Sequence, residues 1–190
     1  MNKMTEIRWH GRGGQGAVTA GKLVAETALG ADLFFQAFPD YGAERMGAPI
    51  RAFTRLSTEP ITAHCAILEP NVVVILDPTL LGVVDVTEGL TADGCVIVNT
   101  TETPAQVRRK LKMATGTVYT VNASHIAIEE LGRDITNTPM LGALCVATGL
   151  FSVDSVAEQI EKNFGKKMRK DVVEANIRAV RRAASEVQAG

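Results

Sequence analysis

The sequence predicts an α/β fold: a Rossmann-like, mostly parallel sheet flanked by helices, with a helical C-terminal region. Three observations carry this. A glycine cluster stands between a strand-like and a helix-like segment near the N-terminus, two unbroken runs of β-branched residues lie mid-chain, and apolar residues follow helical spacing from residue 126 onward. The length of 190 residues fits one compact domain, and residues 1–190 are taken as one.

Element by element, Glu6-Ile7-Arg8-Trp9-His10 alternates like a strand and stops at the glycines, and residues 17–29, rich in Ala, Leu and Val, read as a helix. Leu33-Phe34-Phe35 falls where a parallel strand should follow a crossover helix, so the opening predicts a βαβ unit. Residues 36–49 break into Gly, Pro, Tyr and charged residues, a long connection of the kind that carries function. Residues 50–56 alternate, and 61–68 follow the turn at Glu59-Pro60, predicting a two-stranded antiparallel excursion. Val72-Val73-Val74-Ile75-Leu76 and Cys95-Val96-Ile97-Val98 suit central strands covered on both faces. Thr103 as N-cap with Pro104 at the first helical position predicts a helix over 104–113, and 117–121 a strand at or near the sheet edge. Helices over 126–131, 140–150, 153–164 and 168–187 follow, with Gly132, Gly149 and Gly165 near their ends.

Lys and Arg number 20 against 21 Asp and Glu, which leaves no charge excess to gather nucleic acid. Between residues 166 and 182 basic residues outnumber acidic ones; a solvated helix face is the commoner meaning of such a run, a docking face for an acidic partner the other. No run approaches the ~18 apolar residues of a membrane span, and the N-terminal residues lack a secretory pattern, so a cytoplasmic protein is expected. Cys65, Cys95 and Cys145 are scattered in apolar runs and are expected to be small buried hydrophobes. Iron–sulfur clusters usually need about four thiolates, and the three histidines are distant from one another; no metal is assigned. His64 and His125 have no acid or nucleophile nearby and His10 reads as a hydrogen-bonded structural residue, so no catalytic residue is assigned.

Gly11-Arg12-Gly13-Gly14-Gln15-Gly16 satisfies G-x-G-x-x-G between strand and helix, the setting in which backbone N–H groups and a helix N-terminus face a phosphate. The dinucleotide fingerprint also needs an acid about 20 residues on, and that position is Gln36. Arg12 would suit a phosphate or a partner carboxylate. A ligand phosphate, a subunit interface and plain strand–helix packing stand open as readings of this turn. The loop Phe38-Pro39-Asp40-Tyr41-Gly42-Ala43-Glu44-Arg45-Met46-Gly47-Ala48-Pro49 mixes restrictive and permissive backbone with an aromatic and a charged pair. Loops after parallel strands share one sheet edge, so this loop is expected beside the glycine turn in one composite site. Asn137, ahead of a helix starting near Pro139, is a cap or turn residue or a functional one.

The glycine turn, the Pro39-to-Pro49 loop and Asn137-Thr138-Pro139-Met140-Leu141-Gly142-Ala143 resemble the gamma subunit of pyruvate and related 2-oxoacid:ferredoxin oxidoreductases, over essentially the whole chain. Met46 departs from the pattern, standing where the family commonly shows a second arginine. The resemblance implies a complex whose alpha, beta and delta-type subunits hold thiamine diphosphate, Mg and 4Fe–4S clusters, decarboxylate a 2-oxoacid and pass electrons to ferredoxin. It implies no cofactor held by this chain alone. In acyl-CoA-forming members it places this module near the thiamine-bearing subunits and coenzyme A, with Arg12 and Arg45 the favoured contacts. Gly11, Arg12, Gly13, Gly14, Gln15 and Gly16 are then the candidate cofactor-binding set, and Tyr41, Gly42, Glu44, Arg45, Gly47 and Asn137 the candidate substrate or subunit interface. The rival readings are a stand-alone nucleotide-binding oxidoreductase, favoured by the glycine turn and opposed by the missing ribose carboxylate, and a regulatory domain.

Overall fold

The computed structural model describes residues 4–40 and 46–190. Seven strands, β1 (Met4–Arg12), β2 (Phe34–Pro39), β3 (Pro49–Ser57), β4 (Val72–Ile75), β5 (Cys95–Asn99), β6 (Thr117–Val121) and β7 (Gln188–Ala189), form one sheet in the order β2-β3-β1-β4-β5-β6-β7. The helices are α1 (Ala17–Ala28), α2 (Pro104–Leu111), α3 (Ala123–Leu131), α4 (Asn137–Thr148), α5 (Val153–Phe164) and α6 (Lys170–Glu186).

The half from β1 to β6 is parallel, as the β-branched runs predict. The opening differs from a simple βαβ unit. Because β3 pairs antiparallel with both β1 and β2, β2 does run parallel to β1, but β3 lies between them. The antiparallel excursion therefore exists with a different partner: residues 50–56 pair with β2, and 61–68 form no strand. A strand over 61–68 would have found no free edge on β3, whose two ladders are already taken.

Apolar side chains alternate to opposite faces of the sheet, as the two-residue strand period dictates. Ile7, Trp9, Val72, Val74 and Ile97 face the larger core, against residues of α1, α3, α4 and α6. Val73, Ile75, Val96 and Val98 face a smaller core closed by Leu80, Val86 and Val107 of α2. The helical tail covers one face of the sheet, and α4 is its most buried helix, with every residue from 137 to 145 buried. At Gly142 a Cβ would lie 2.0 Å from the carbonyl oxygen of Val180, so only glycine lets α4 approach α6 this closely.

Ends obey local chemistry. Thr103 and Gln106 form a reciprocal capping box at α2. Gly132 and Gly149 close α3 and α4 in the left-handed region, whereas Gly165 ends α5 at φ −58°, in ordinary helical conformation. The basic run near the C-terminus is largely paired: Arg178 with Glu130, Arg181 with Asp154, and Arg182 with Glu129, Glu130 and Glu186. Cys95 and Cys145 are buried, which pushes both thiols up to about 11; Cys65, against expectation, is exposed because its segment lies outside the sheet.

Candidate functional site

The first turn of backbone after β1 makes the site. Gly14 at φ 97° and Gly16 at φ 83° occupy the left-handed region that side chains other than glycine's enter at a cost of about 1–2 kcal/mol. Gly16 is the N-cap of α1, and no side chain caps the helix, so its first N–H groups border a groove of about 460 Å³. That groove is lined by Gly13, Gly14, Gly16, Thr19, Met46 and Ile50, with Met46 fully exposed beside it.

The second loop is stitched to this turn by backbone. The Gly13 N–H donates to the Ala48 carbonyl at 3.0 Å, the Gly47 N–H donates to the Gly13 carbonyl at 3.2 Å, and Gly47 itself sits at φ 80°. The expected adjacency of the two loops holds for residues 46–49. Tyr41, Gly42, Glu44 and Arg45 lie outside the described residues. Asn137 arrives from the start of α4: a Cβ on Gly16 would come 2.7 Å from its Nδ2. Asn137 is the first residue of its helix, the N-cap being Thr136, and it makes no capping bond. The side chain packs against the glycine turn instead.

Arg12 is not a standing anion receptor. Its Nε donates to Asp77 Oδ2 at 3.1 Å, Nη2 donates to Thr79 Oγ1 at 2.9 Å, and Nη1 donates to the Gly47 carbonyl at 3.1 Å. Gln15 joins the same centre, its Nε2 donating to Asp77 Oδ2 at 2.8 Å while its Oε1 accepts from the Arg12 N–H at 2.7 Å. Burial alone would raise the Asp77 pKa, but hydrogen bonds from Thr79 and Gln15 and the Arg12 charge hold it below the ordinary carboxylate value. Asp77 therefore neutralises Arg12 and fixes both side chains of the glycine turn. Sequence reading missed it, although the signal was present: Asp77-Pro78-Thr79 follows a central strand, and its loop must share the edge with the other two.

On the same face of β1 as Arg12, two buried polar residues support each other. Arg8 donates through Nε to His10 Nε2 at 3.1 Å and through Nη2 to the carbonyls of Val86 and Glu88. Burial, then the charges of Arg8 and Arg51, push His10 down to about 3. It stays neutral and structural, as expected. Among the described residues no three His, Cys, Asp or Glu side chains gather as a metal site, and no helix is long and apolar enough to cross a membrane.

The glycine turn also lacks the geometry of a dinucleotide site. The strand beside β1 on that side is the antiparallel β3, and Gln36 sits on the outer strand, accepting from Arg55.

Residues 6–186 match the family model of the pyruvate ferredoxin/flavodoxin oxidoreductases. The chain belongs to this family. It is 48% identical over 186 residues to pyruvate synthase subunit PorC of Thermotoga maritima, covering 98% of this chain and 96% of that one. It is 49% identical over 185 residues to the pyruvate/ketoisovalerate oxidoreductases common subunit gamma of Pyrococcus abyssi, covering 97% of this chain and 98% of that one. The crystal structure of the Thermotoga maritima pyruvate oxidoreductase subunit PORC superposes with a TM-score of 0.88 at 44% identity, covering 100% of this chain and 99% of the other. Within the pyruvate ferredoxin/flavodoxin oxidoreductase family, the chain is a gamma-type subunit of a multi-subunit 2-oxoacid oxidoreductase. The family resemblance read from three motifs thus holds, and one of those motifs has a packing explanation: Gly142 serves the α4–α6 contact.

Proposed function

We propose that this gamma-type subunit completes a complex of alpha, beta and delta-type subunits carrying thiamine diphosphate, Mg and 4Fe–4S clusters. The complex oxidatively decarboxylates a 2-oxoacid to its acyl-CoA in the cytoplasm and passes the electrons to ferredoxin. In this reading the chain, one domain over residues 1–190, supplies an assembled edge rather than reacting groups. The carrying observation is the joining of the glycine turn to the Gly47–Ala48 backbone, with Arg12 locked by Asp77. Such a preformed edge favours recognition of a fixed partner surface, because its ordering entropy is already spent on folding.

Gly11 to Gly16, Gly47 and Asn137 form the proposed contact with the thiamine-bearing subunits, and Tyr41, Gly42, Glu44 and Arg45 extend it in sequence. The uncapped start of α1 and the remaining N–H groups of Arg12 offer donors to an acceptor group of the partner or of CoA. The test replaces Gly14 by Val and Arg45 by Ala in the assembled complex. Gly14→Val should impair assembly or turnover because its φ suits only glycine, although a Cβ there meets open space. Arg45→Ala should weaken subunit affinity or raise the apparent KM for CoA. Exposed Lys112, far from this edge, is the comparison, and Lys112→Ala should do neither. Normal assembly and CoA kinetics in both test variants would place the functional edge elsewhere.

A further inference from the structure

A second cleft, of about 640 Å³, opens next to the groove at the glycine turn, and Thr19 of α1 lines both. Its walls come from the end of α3, the start of α4, the turn between α5 and α6, and the first half of α6. The apolar lining includes Leu131, Ile135, Phe164, Met168 and Val172, and Met168 is 43% exposed. A water-exposed apolar hollow of this kind is what an anchoring side chain of a partner fills.

The free charges around it are mostly positive, with Asp134, between the lining residues Arg133 and Ile135, the one unpaired acid beside them. The lining acids are already paired within the chain, Glu130 with Arg178 and Arg182, and Asp171 with Arg169. Among the described residues, the side chains of Arg133, which lines the cleft, and of Lys166 and Lys167, exposed on the turn between Phe164 and Met168, form no ion pair or hydrogen bond. Asn137 adds a third feature. It is only 9% exposed, yet its carboxamide has a single long contact, from Thr138 Oγ1 at 3.4 Å, and it lines this cleft. Its Nδ2 makes no hydrogen bond and is not closed off from solvent, so it is free to donate to an acceptor that enters.

Resting on the reading of this chain as a gamma-type subunit, we propose that the cleft is the docking site for a segment of a partner subunit that inserts an apolar anchor and flanks it with Asp or Glu. The anchor fills the hollow between Phe164 and Val172, the flanking carboxylates meet Arg133, Lys166 and Lys167, and a carbonyl of the segment accepts from Asn137. Charge complementarity selects such a segment over a basic one, since like charges here would face Arg133 in the lining and Lys166 and Lys167 at the rim. The proposed occupant is a partner subunit, and a second copy of this chain is the outcome of the test that would overturn it.

The full-length chain and the remaining subunits of the complex, purified separately, test this by measuring their association. Val172→Trp fills the cleft from a half-buried helix position, and the triple variant Arg133→Glu, Lys166→Glu, Lys167→Glu reverses the rim charge. Thermal melts confirm that each variant folds, and Lys112→Glu on the opposite face controls for a charge reversal away from the cleft. Each cleft variant should weaken association at least about tenfold, about 1.4 kcal/mol. The triple variant should also lose part of the salt dependence, while Lys112→Glu changes neither. A photocrosslinker at position 172 should capture an acidic, apolar-centred segment of a partner subunit. Folded variants that associate as tightly as the unmodified chain, or a crosslink to a second copy of this chain, would overturn the docking proposal while leaving the subunit reading intact. Failure of the unmodified chain to associate at all would overturn both.

Discussion

Asp77 shows how one side chain turns a glycine motif into a rigid device. Its two oxygens receive Arg12, Gln15 and Thr79, so the positive charge of the turn is spent internally before any partner arrives. The Arg12 side chain is 29% exposed and that of Asp77 10%, so solvent screens the pair and its worth is smaller than that of a fully buried one. A double-mutant cycle with Arg12→Gln and Asp77→Asn, followed by urea unfolding, should give a coupling of about 1 kcal/mol. A coupling indistinguishable from zero would mean that Asp77 serves only as a cap for the turn at Pro78. His10 supplies a second prediction. Its pKa falls from 6.5 to about 3 on folding, so the unfolded chain takes a proton that the folded chain refuses. Stability is then complete above pH 6.5 and is lost as pH falls from 6.5 towards 3. Between pH 7 and 5 the loss assigned to this residue is about 2 kcal/mol. In His10→Gln the amide carbonyl can still accept from Arg8, and the variant should lose that much less stability over the same interval. Equal pH slopes for the two proteins would contradict the neutral, buried histidine.

At the level of elements, periodicity and turn chemistry made most of the fold legible. The β-branched runs became β4 and β5, Thr103-Pro104 began α2, and the apolar spacing after residue 126 gave the four closing helices. The strand neighbours were not legible. Phe34 to Phe38 carries no alternation that distinguishes a neighbour of β1 from a neighbour of β3, and the strands β2 and β3 meet across a long loop rather than a tight turn. Glu59-Pro60 offered a nearer turn and drew the hairpin in the wrong direction. Within the site, the glycine turn and its adjacency to residues 46–49 could be read from motif and topology. The Asp77 clamp and the pocketing of Asn137 against Gly16 depend on long-range packing that spacing does not encode. Packing also makes a specific claim about α4. A methyl group on Gly142 would strike the α6 backbone, which cannot rotate away as a side chain can. Gly142→Ala should therefore cost more than about 3 kcal/mol, beyond ordinary overpacking. Gly132→Ala, whose φ is 71° but whose Cβ meets open space, should cost only about 1–2 kcal/mol. Comparable losses in thermal or urea unfolding would show that α4 can shift away from α6.

For the whole molecule, the family membership and the geometry support one proposal: this chain acts as a preformed gamma-type edge within a larger oxidoreductase and turns nothing over on its own. Sequence alone pointed to the family through its motifs, and the structure gives part of the third a packing role at Gly142. The rival, a self-sufficient nucleotide-binding enzyme, predicts thermal stabilisation of the isolated chain by NAD or NADP. The most direct test purifies the native complex through a tag on this subunit, and assays both it and the chain alone. The account predicts co-purifying subunits with thiamine diphosphate and 4Fe–4S clusters, ferredoxin reduction that depends on a 2-oxoacid and CoA, and neither clusters nor activity in the chain alone. Recovery of the chain without partners from native extract, or cluster absorption or 2-oxoacid oxidation by the purified chain, would contradict it.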